Sequence, residues 1–373
     1  MPTARYRVFV DDAPLGQAQL DLVRAVRVEQ AIGLAAAAEL ELVLGTDDQG
    51  AWQGFDDAPA QPFARVRVEL SPAEEAPFVP LIDGPVVGQR FELEAAPDAS
   101  RLIAVVHDDS VLLDREEKVV VFKDEPLARL VRGLIEEGGL TARVSASLPD
   151  AASALERWIV QRGTNMQLLR TLARRLGMFA WVEPGESPGR SVGVFEALAA
   201  QDEGLPDLVL LGQARNLGRF SASFDALRPQ APRAAAVQLV DKRQLSARAD
   251  QAGDPALGEE AAHGLVEPAA TLLAHTREEQ GDVDAATAAG ANLSAWAYRA
   301  EGEVDSDLYP AVLRPHRRLR VTGVGPQLSG DYLVSRVLHH IDDAGYRQRF
   351  TLARNARSAA GAGGLGGLLS GVF

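Results

Sequence analysis

LSGDYLVSRVLHHIDDAGYRQRFTLARN, residues 328–355, decides how the chain is read. Apolar and polar residues alternate on both sides of Asp342, Asp343, Ala344 and Gly345, the pattern of two strands joined by a hairpin turn. Aspartate tolerates the unusual backbone angles of a tight turn. The same stretch sets His339 and His340 beside Asp342 and Asp343, residue types that can hold a metal. Adjacent residues of a strand point to opposite faces, so His339 and His340 cannot both reach one ion. The alternation places Asp331, Leu333, Ser335 and Val337 on one face. Tyr332, Val334, Arg336 and Leu338 fall on the other. The stretch reads as scaffold.

The same period runs through the N-terminal third. RYRVFV (5–10), LVRAVRVEQ (22–30), AELELVL (38–44), FARVRVEL (63–70), PVVGQRFELE (85–94) and RLIAVVHD (101–108) mostly alternate. Turn-forming clusters separate them, so residues 1–112 predict a barrel or sandwich. Residues 113–200 change period. Leu127, Leu130, Val131, Leu134 and Ile135 form one helical stripe, with Pro126 in the first turn and Gly138 as a cap. Thr164 and Gln167 form a capping box ahead of a second helix that Gly177 stops. MFAWVE (178–183) and SVGVFEA (191–197) pair as a hairpin. Strand patterns return over 207–240. Residues 241–308 are Ala-rich and acidic, with a helix expected over 286–303. From 317 the strands resume.

The chain has 373 residues, a formal net charge of −14 and no cysteine. The acidic balance disfavours nucleic acid and anionic membrane as partners, which select basic patches. Without cysteine there is no disulfide, thiolate metal site or thiol nucleophile. The stretch MPTARYRVFVDD lacks the apolar core of a secretory signal, and no run approaches the ~20 apolar residues of a membrane helix. GAGGLG (361–366) matches a dinucleotide fingerprint in letters alone, because no helix and no downstream acid follow it. P-loop and HExxH motifs are missing. His107, His263, His275 and His316 are scattered. The acidic pairs Glu116/Glu117, Glu136/Glu137 and Glu259/Glu260 sit in polar contexts. The expectation is no catalytic, cofactor or metal site. Leu365, Leu368, Leu369, Val372 and Phe373 are apolar in a Gly-rich tail and are candidates for docking a partner.

Three ordered stretches carry a resemblance: DDSVLLDREEKVVVFKDEPLARLVRGLIEEGGL (108–140), IVQRGTNMQLLRTLARRLGMFAWVE (159–183) and RRLRVTGVGPQLSGDYLVSRVLHHIDDAGYRQRFTLARN (317–355). Together they resemble the phage late control protein D family, across roughly 1–356. That family includes baseplate hubs of contractile phage tails and the N-terminal part of type VI secretion spike proteins. The family usually carries a Pro-Gly turn before the third stretch, where this chain has Pro315, His316 and Arg317, so a different turn is expected there. The resemblance implies a β-rich α+β fold with two antiparallel β-barrels per subunit, and a homotrimeric ring of pseudo-sixfold symmetry. The barrels would be 1–112 and 205–240 with 313–356. A helical and hairpin linking domain would occupy 113–204, an α-rich insertion 241–312, and the tail 357–373. The implied function is a free-standing, non-enzymatic baseplate hub that adapts a hexameric inner tube to a separate trimeric spike beside baseplate wedge proteins. It would assemble in the cytoplasm and enter a phage-tail-like particle or virion. Alternatives are a truncated type VI spike, a tail-associated cell-wall glycosidase needing two carboxylates across a cleft, and a glycan-binding β module.

Overall fold

The computed structural model describes residues 4–359 apart from 55–60, 97–98, 124, 149–157, 199–200, 203, 239–240 and 274–279. The chain is β-rich, and both β regions belong to one sheet. Its path runs Phe220–Phe224, Tyr298–Asp305, Gly345–Arg354, Gly330–Asp342, Val23–Ala31, Ala37–Val43, Arg101–His107, Val79–Glu92, Arg65–Ser71, Arg5–Val10 and Ala13–Pro14. Arg317–Thr322 branches from Gly330–Asp342. The path is open at both ends, so neither half closes into a barrel by strand pairing among the described residues. Alternation reveals that a strand has one buried face, and it does not reveal which strand lies beside it. The join is antiparallel pairing from Arg336↔Ala31 to Asp342↔Ala25.

The hairpin at 330–354 serves two cores. Tyr332, Val334, Val337, Phe350 and Leu352 near its base belong to the C-terminal core, with Leu319, Val321 and Tyr309. Ile341 and Tyr346 at its tip belong to the N-terminal core, with Val26, Val28, Leu40 and Val106. The faces differ from simple alternation. Pairing steps from Val334↔Leu352 to Arg336↔Thr351, which leaves Ser335 as a bulge. The extra residue moves Val337 onto the same buried face as Tyr332 and Val334. The Ser335 carbonyl accepts from Ile32 N at 2.9 Å. The bulge therefore sits where the N-terminal strand arrives.

The linking region has its own core, where Leu127, Leu130, Val131, Leu134 and Ile135 of the helix Leu127–Glu137 meet Leu169, Leu172 and Phe195. Asn165–Leu176 is capped at both ends by Thr164 and a left-handed Gly177. The first helix ends differently from expectation. Gly139 takes the left-handed conformation, and a Cβ at Gly138 would lie 2.4 Å from the end of the Leu113 side chain. Thr141–Val144 adds a parallel strand beside Val192–Ala197.

The insertion also departs from the sequence reading. The helix is Gln280–Ser294, and Tyr298–Asp305 is a strand of the large sheet rather than a continuation of the helix. YRAEGEVD alternates, but the alanine-rich run before it hid the change of period. Gln230–Val237, grouped with the second β region from its sequence, pairs instead with Gln244–Arg248 and Ala269–Leu272. That small sheet packs Ala234 and Leu245 against Val283 of the helix.

Between the two large cores lies a buried polar belt. His339 and Gln348 face each other across the hairpin, and both are fully buried. His339 Nδ1 lies 2.8 Å from the Tyr346 hydroxyl, and Nε2 lies 3.3 Å from Gln30 Oε1. Gln30 Nε2 donates to the Leu81 carbonyl at 2.6 Å, which turns its oxygen toward the imidazole. His339 therefore carries its proton on Nε2 and accepts the tyrosine hydroxyl proton at Nδ1. Gln348 accepts from Leu313 N at 2.7 Å and donates to the Ala311 carbonyl at 2.7 Å. Removing one member strands the others without water, at about 1–3 kcal/mol. His339→Leu is expected to lower unfolding free energy by about 2 kcal/mol or more in urea melts. An unchanged midpoint would show that the belt does not hold the join.

Candidate functional site

The histidine pair is not a metal centre. His339 is in the interior, and burial lowers its pKa to about 3, so it is neutral. His340 points to the outer face, where Nε2 lies 2.7 Å from Asp342 Oδ2 and Nδ1 accepts from Arg27 Nε at 3.3 Å. Arg347 donates to the same Asp342 oxygen at 2.8 Å. No group of three or more His, Cys, Asp or Glu among the described residues could hold a metal ion. Glu137 engages Lys118 and Asn165, and Glu260 pairs with Arg357 at 2.5 Å. His275 and the tail candidates Leu365, Leu368, Leu369, Val372 and Phe373 lie outside the described residues.

Three joints fix the regions to one another. The first is a buried charge cluster. Arg67 is 2% exposed and pairs with Glu69 at 2.8 Å and Asp83 at 3.1 Å. Arg65 pairs with Asp83 at 2.9 Å and with Asp109. Arg67 Nη1 also donates to the Gly185 carbonyl at 2.9 Å and the Ser187 carbonyl at 3.2 Å, while Gly189 N donates to Asp83 at 3.0 Å. The turn of the linking hairpin is thereby locked onto the N-terminal sheet. Buried charges contribute little net stability when paired, but a broken pair leaves an uncompensated charge. The cluster thus specifies one docking geometry. Sequence alone showed RVRVEL as an ordinary alternating strand and gave no sign that Arg67 faces inward.

The second joint is Arg354 with Asn355, the end of the third resemblance stretch. Arg354 donates to the Leu257 carbonyl at 2.8 Å and to Ser358 Oγ at 2.9 Å. Asn355 accepts from Leu257 N at 2.8 Å and donates to the Pro255 carbonyl at 3.0 Å. The pair ties the insertion to the hairpin end.

The third joint is a small cleft of about 70 Å³ lined by Leu34, Leu81, Ile82, Trp181, Pro315 and His316, among others. His316 stacks on Trp181 with centroids 3.9 Å apart. Its φ is +67°, a left-handed backbone that glycine adopts freely. The sequence suggested a turn unlike Pro-Gly here, yet His316 takes a backbone that a glycine would favour, and its ring fills the joint. Burial first, with Arg317 and Arg143 nearby, lowers its pKa to about 4 against the opposing pull of Glu183.

No family model and no curated protein matches the sequence. Solved structures do match in shape. The 43 kDa tail protein of prophage MuSo2 from Shewanella oneidensis is 14% identical, with a TM-score of 0.67 over 94% of this chain and 98% of that one. The fold is that of a phage tail protein. A tail protein from Neisseria meningitidis MC58 is 11% identical, with a TM-score of 0.61 over 94% of this chain and 96% of its own. An Escherichia coli component of the type VI secretion system, itself similar to T4 phage tail proteins, has a TM-score of 0.54 at 11% identity. The matched region spans 94% of this chain and 76% of that one. The tail-protein fold covers the sheet, the linking region and the insertion together. No helix among the described residues is long and apolar enough to cross a membrane.

Two of the buried histidines, His339 and His316, give the fold a pH dependence of known sign. Imidazoles held near 3 and 4 in the folded chain titrate near 6.5 when unfolded. Below 6.5 the unfolded chain binds protons that the folded chain refuses. Stability present above pH 6.5 is therefore lost as pH falls toward 4, by ~1.4 kcal/mol per pH unit for each group. Urea melts at pH 7, 6 and 5 should show this decline, and His316→Phe should reduce its slope by about one proton. An unaltered slope in the variant would contradict the neutral assignment of His316.

Proposed function

We propose that the chain is the structural hub of a contractile injection particle, a phage tail, tailocin or phage-tail-like device. Three copies form a ring in which two β regions per copy give six similar positions. One face of the ring meets the hexameric inner tube, and the other seats a trimeric spike. Wedge proteins of the baseplate surround it. The role is mechanical and not catalytic, with assembly in the cytoplasm before incorporation into the particle.

The observation that carries this reading is the end-to-end likeness to the prophage tail protein from Shewanella oneidensis, through both β regions and the link between them. The internal chemistry supports it. The polar belt, the Arg67 cluster and the Arg354–Asn355 pair spend charged and polar groups on holding regions at fixed angles. Fixed angles are what a symmetry adaptor needs, since six positions align only if the two β regions keep one mutual orientation. Closely matched subunit contacts then follow from a rigid monomer.

The tail residues Leu365, Leu368, Leu369, Val372 and Phe373 dock the spike in this reading. Co-expression with the spike and inner-tube proteins of the same particle tests both parts. The full chain should copurify with both partners. A chain lacking 361–373 should keep the tube and lose most of the spike. Full spike recovery by the shortened chain would end the docking role, and recovery of neither partner by the full chain would end the hub reading.

A further inference from the structure

The linking region carries a two-stranded ribbon, Lys118–Lys123 paired with Trp158–Gly163, that joins no other strand among the described residues. Its inner face, Phe122, Ile159 and Gln161, closes the linking core. Its outer face reads Val119, Val121 and Lys123 opposite Arg162, Val160 and Trp158. The apolar members are unusually open to solvent. Val119 is 80% exposed, Trp158 59%, and Val121 and Val160 45% each. Four large apolar side chains side by side on one face form a patch, unlike single exposed residues scattered over a surface.

The charges at the two ends of this strip are unusual for the molecule. The twelve residues of the ribbon hold no carboxylate, in a chain whose net charge is −14. Lys118 faces inward and is paired with Glu137 and Glu116. Lys123 and Arg162 have no ion-pair partner among the described residues, and Lys123 lies over the Trp158 ring at 4.6 Å. Elsewhere on the outer sheet face, cations such as Arg101, Arg336 and Arg347 meet carboxylates. The ribbon thus presents an apolar strip of roughly 13 Å, four strand rises, with an unmatched cation at each end. Two copies stacked face to face would bring Lys123 and Arg162 of each against the same charges of the other. Like charges opposed across a sheet destabilise the pair, so a second copy of this chain is the wrong occupant.

We propose that the outer face of this ribbon is a docking site for an extended segment of another polypeptide, apolar in its centre and carrying a carboxylate at each end. The valines and Trp158 provide the contact area. Lys123 and Arg162 set its register by pairing with the two acids, and exclude segments that are apolar throughout or basic at their ends. This chemistry does not depend on whether the chain sits at the centre of a baseplate.

The chain has three lysines, Lys118, Lys123 and Lys242, which makes amine acetylation a site-resolved probe. Lys123 and Lys242 are both exposed, and Lys242 lies in the insertion, outside the ribbon. The full chain is acetylated with and without the synthetic peptide Asp-Thr-Val-Thr-Val-Thr-Asp, whose acids and valines share one face of an extended strand, and with its counterpart ending in lysines. Mass spectrometry reads each site. The acid-ended peptide should slow acetylation of Lys123 at least threefold relative to Lys242. The lysine-ended peptide should not, and Val121→Asp should abolish the protection. Circular dichroism checks that the variant is folded, as its exposed position predicts. Absence of protection, equal protection by both peptides, or protection that survives Val121→Asp would overturn the assignment.

Discussion

The structure depends on one buried polar contact set, His339 with Tyr346 and Gln30, beside Gln348. Two apolar cores that simply touched could slide along each other, because hydrophobic attraction has no direction. Hydrogen bonds with fixed donors and acceptors have direction, and without water they can be satisfied in one register only. A shift of the Val23–Ala31 strand by one residue would turn Gln30 away from the imidazole and bury a side chain meant for solvent. The Ser335 bulge acts with the belt. It re-aims Val337 inward and turns a carbonyl toward Ile32, so the incoming strand meets a matched edge.

From this join outward, the same device recurs at each boundary. The Arg67 cluster fixes the linking turn, Arg354 and Asn355 fix the insertion, and His316 wedges between the two β regions and Trp181. Each interface combines a modest apolar contact with a polar group whose partners exist in only one arrangement. The gain lies in specificity more than in stability, since paired buried charges are roughly neutral in free energy. Joints of this kind favour one mutual orientation of the regions they connect. That property links the internal chemistry to the proposed role, in which parts must repeat at equal angles around an axis.

Much of this was legible in the residues. The strands of the N-terminal half, the capping box at Thr164 and Gln167, the opposite facing of His339 and His340, and the hairpin turn at Asp342–Gly345 follow from period and local chemistry. What failed did so for identifiable reasons. The bulge at Ser335 inverts the facing of Val337, and a single serine carries no signal of an inserted residue. Tyr298–Asp305 was hidden behind an alanine-rich helix whose composition spread over the boundary. Pairing partners are long-range, so no local pattern could show that Gln230–Val237 belongs to the insertion, or that the two β regions share an open sheet. The inward Arg67 was also silent, because an arginine on an alternating strand reads as solvent-facing until its buried carboxylates are placed around it.

The central claim is that this monomer is one third of a ring. The most direct measurement is the mass of the purified full chain in solution, followed by electron microscopy, alone and with the spike and inner-tube proteins. The account predicts a mass of three chains and a ring with a central channel and six similar lobes. A chain that remains a monomer in the presence of both partners would contradict it.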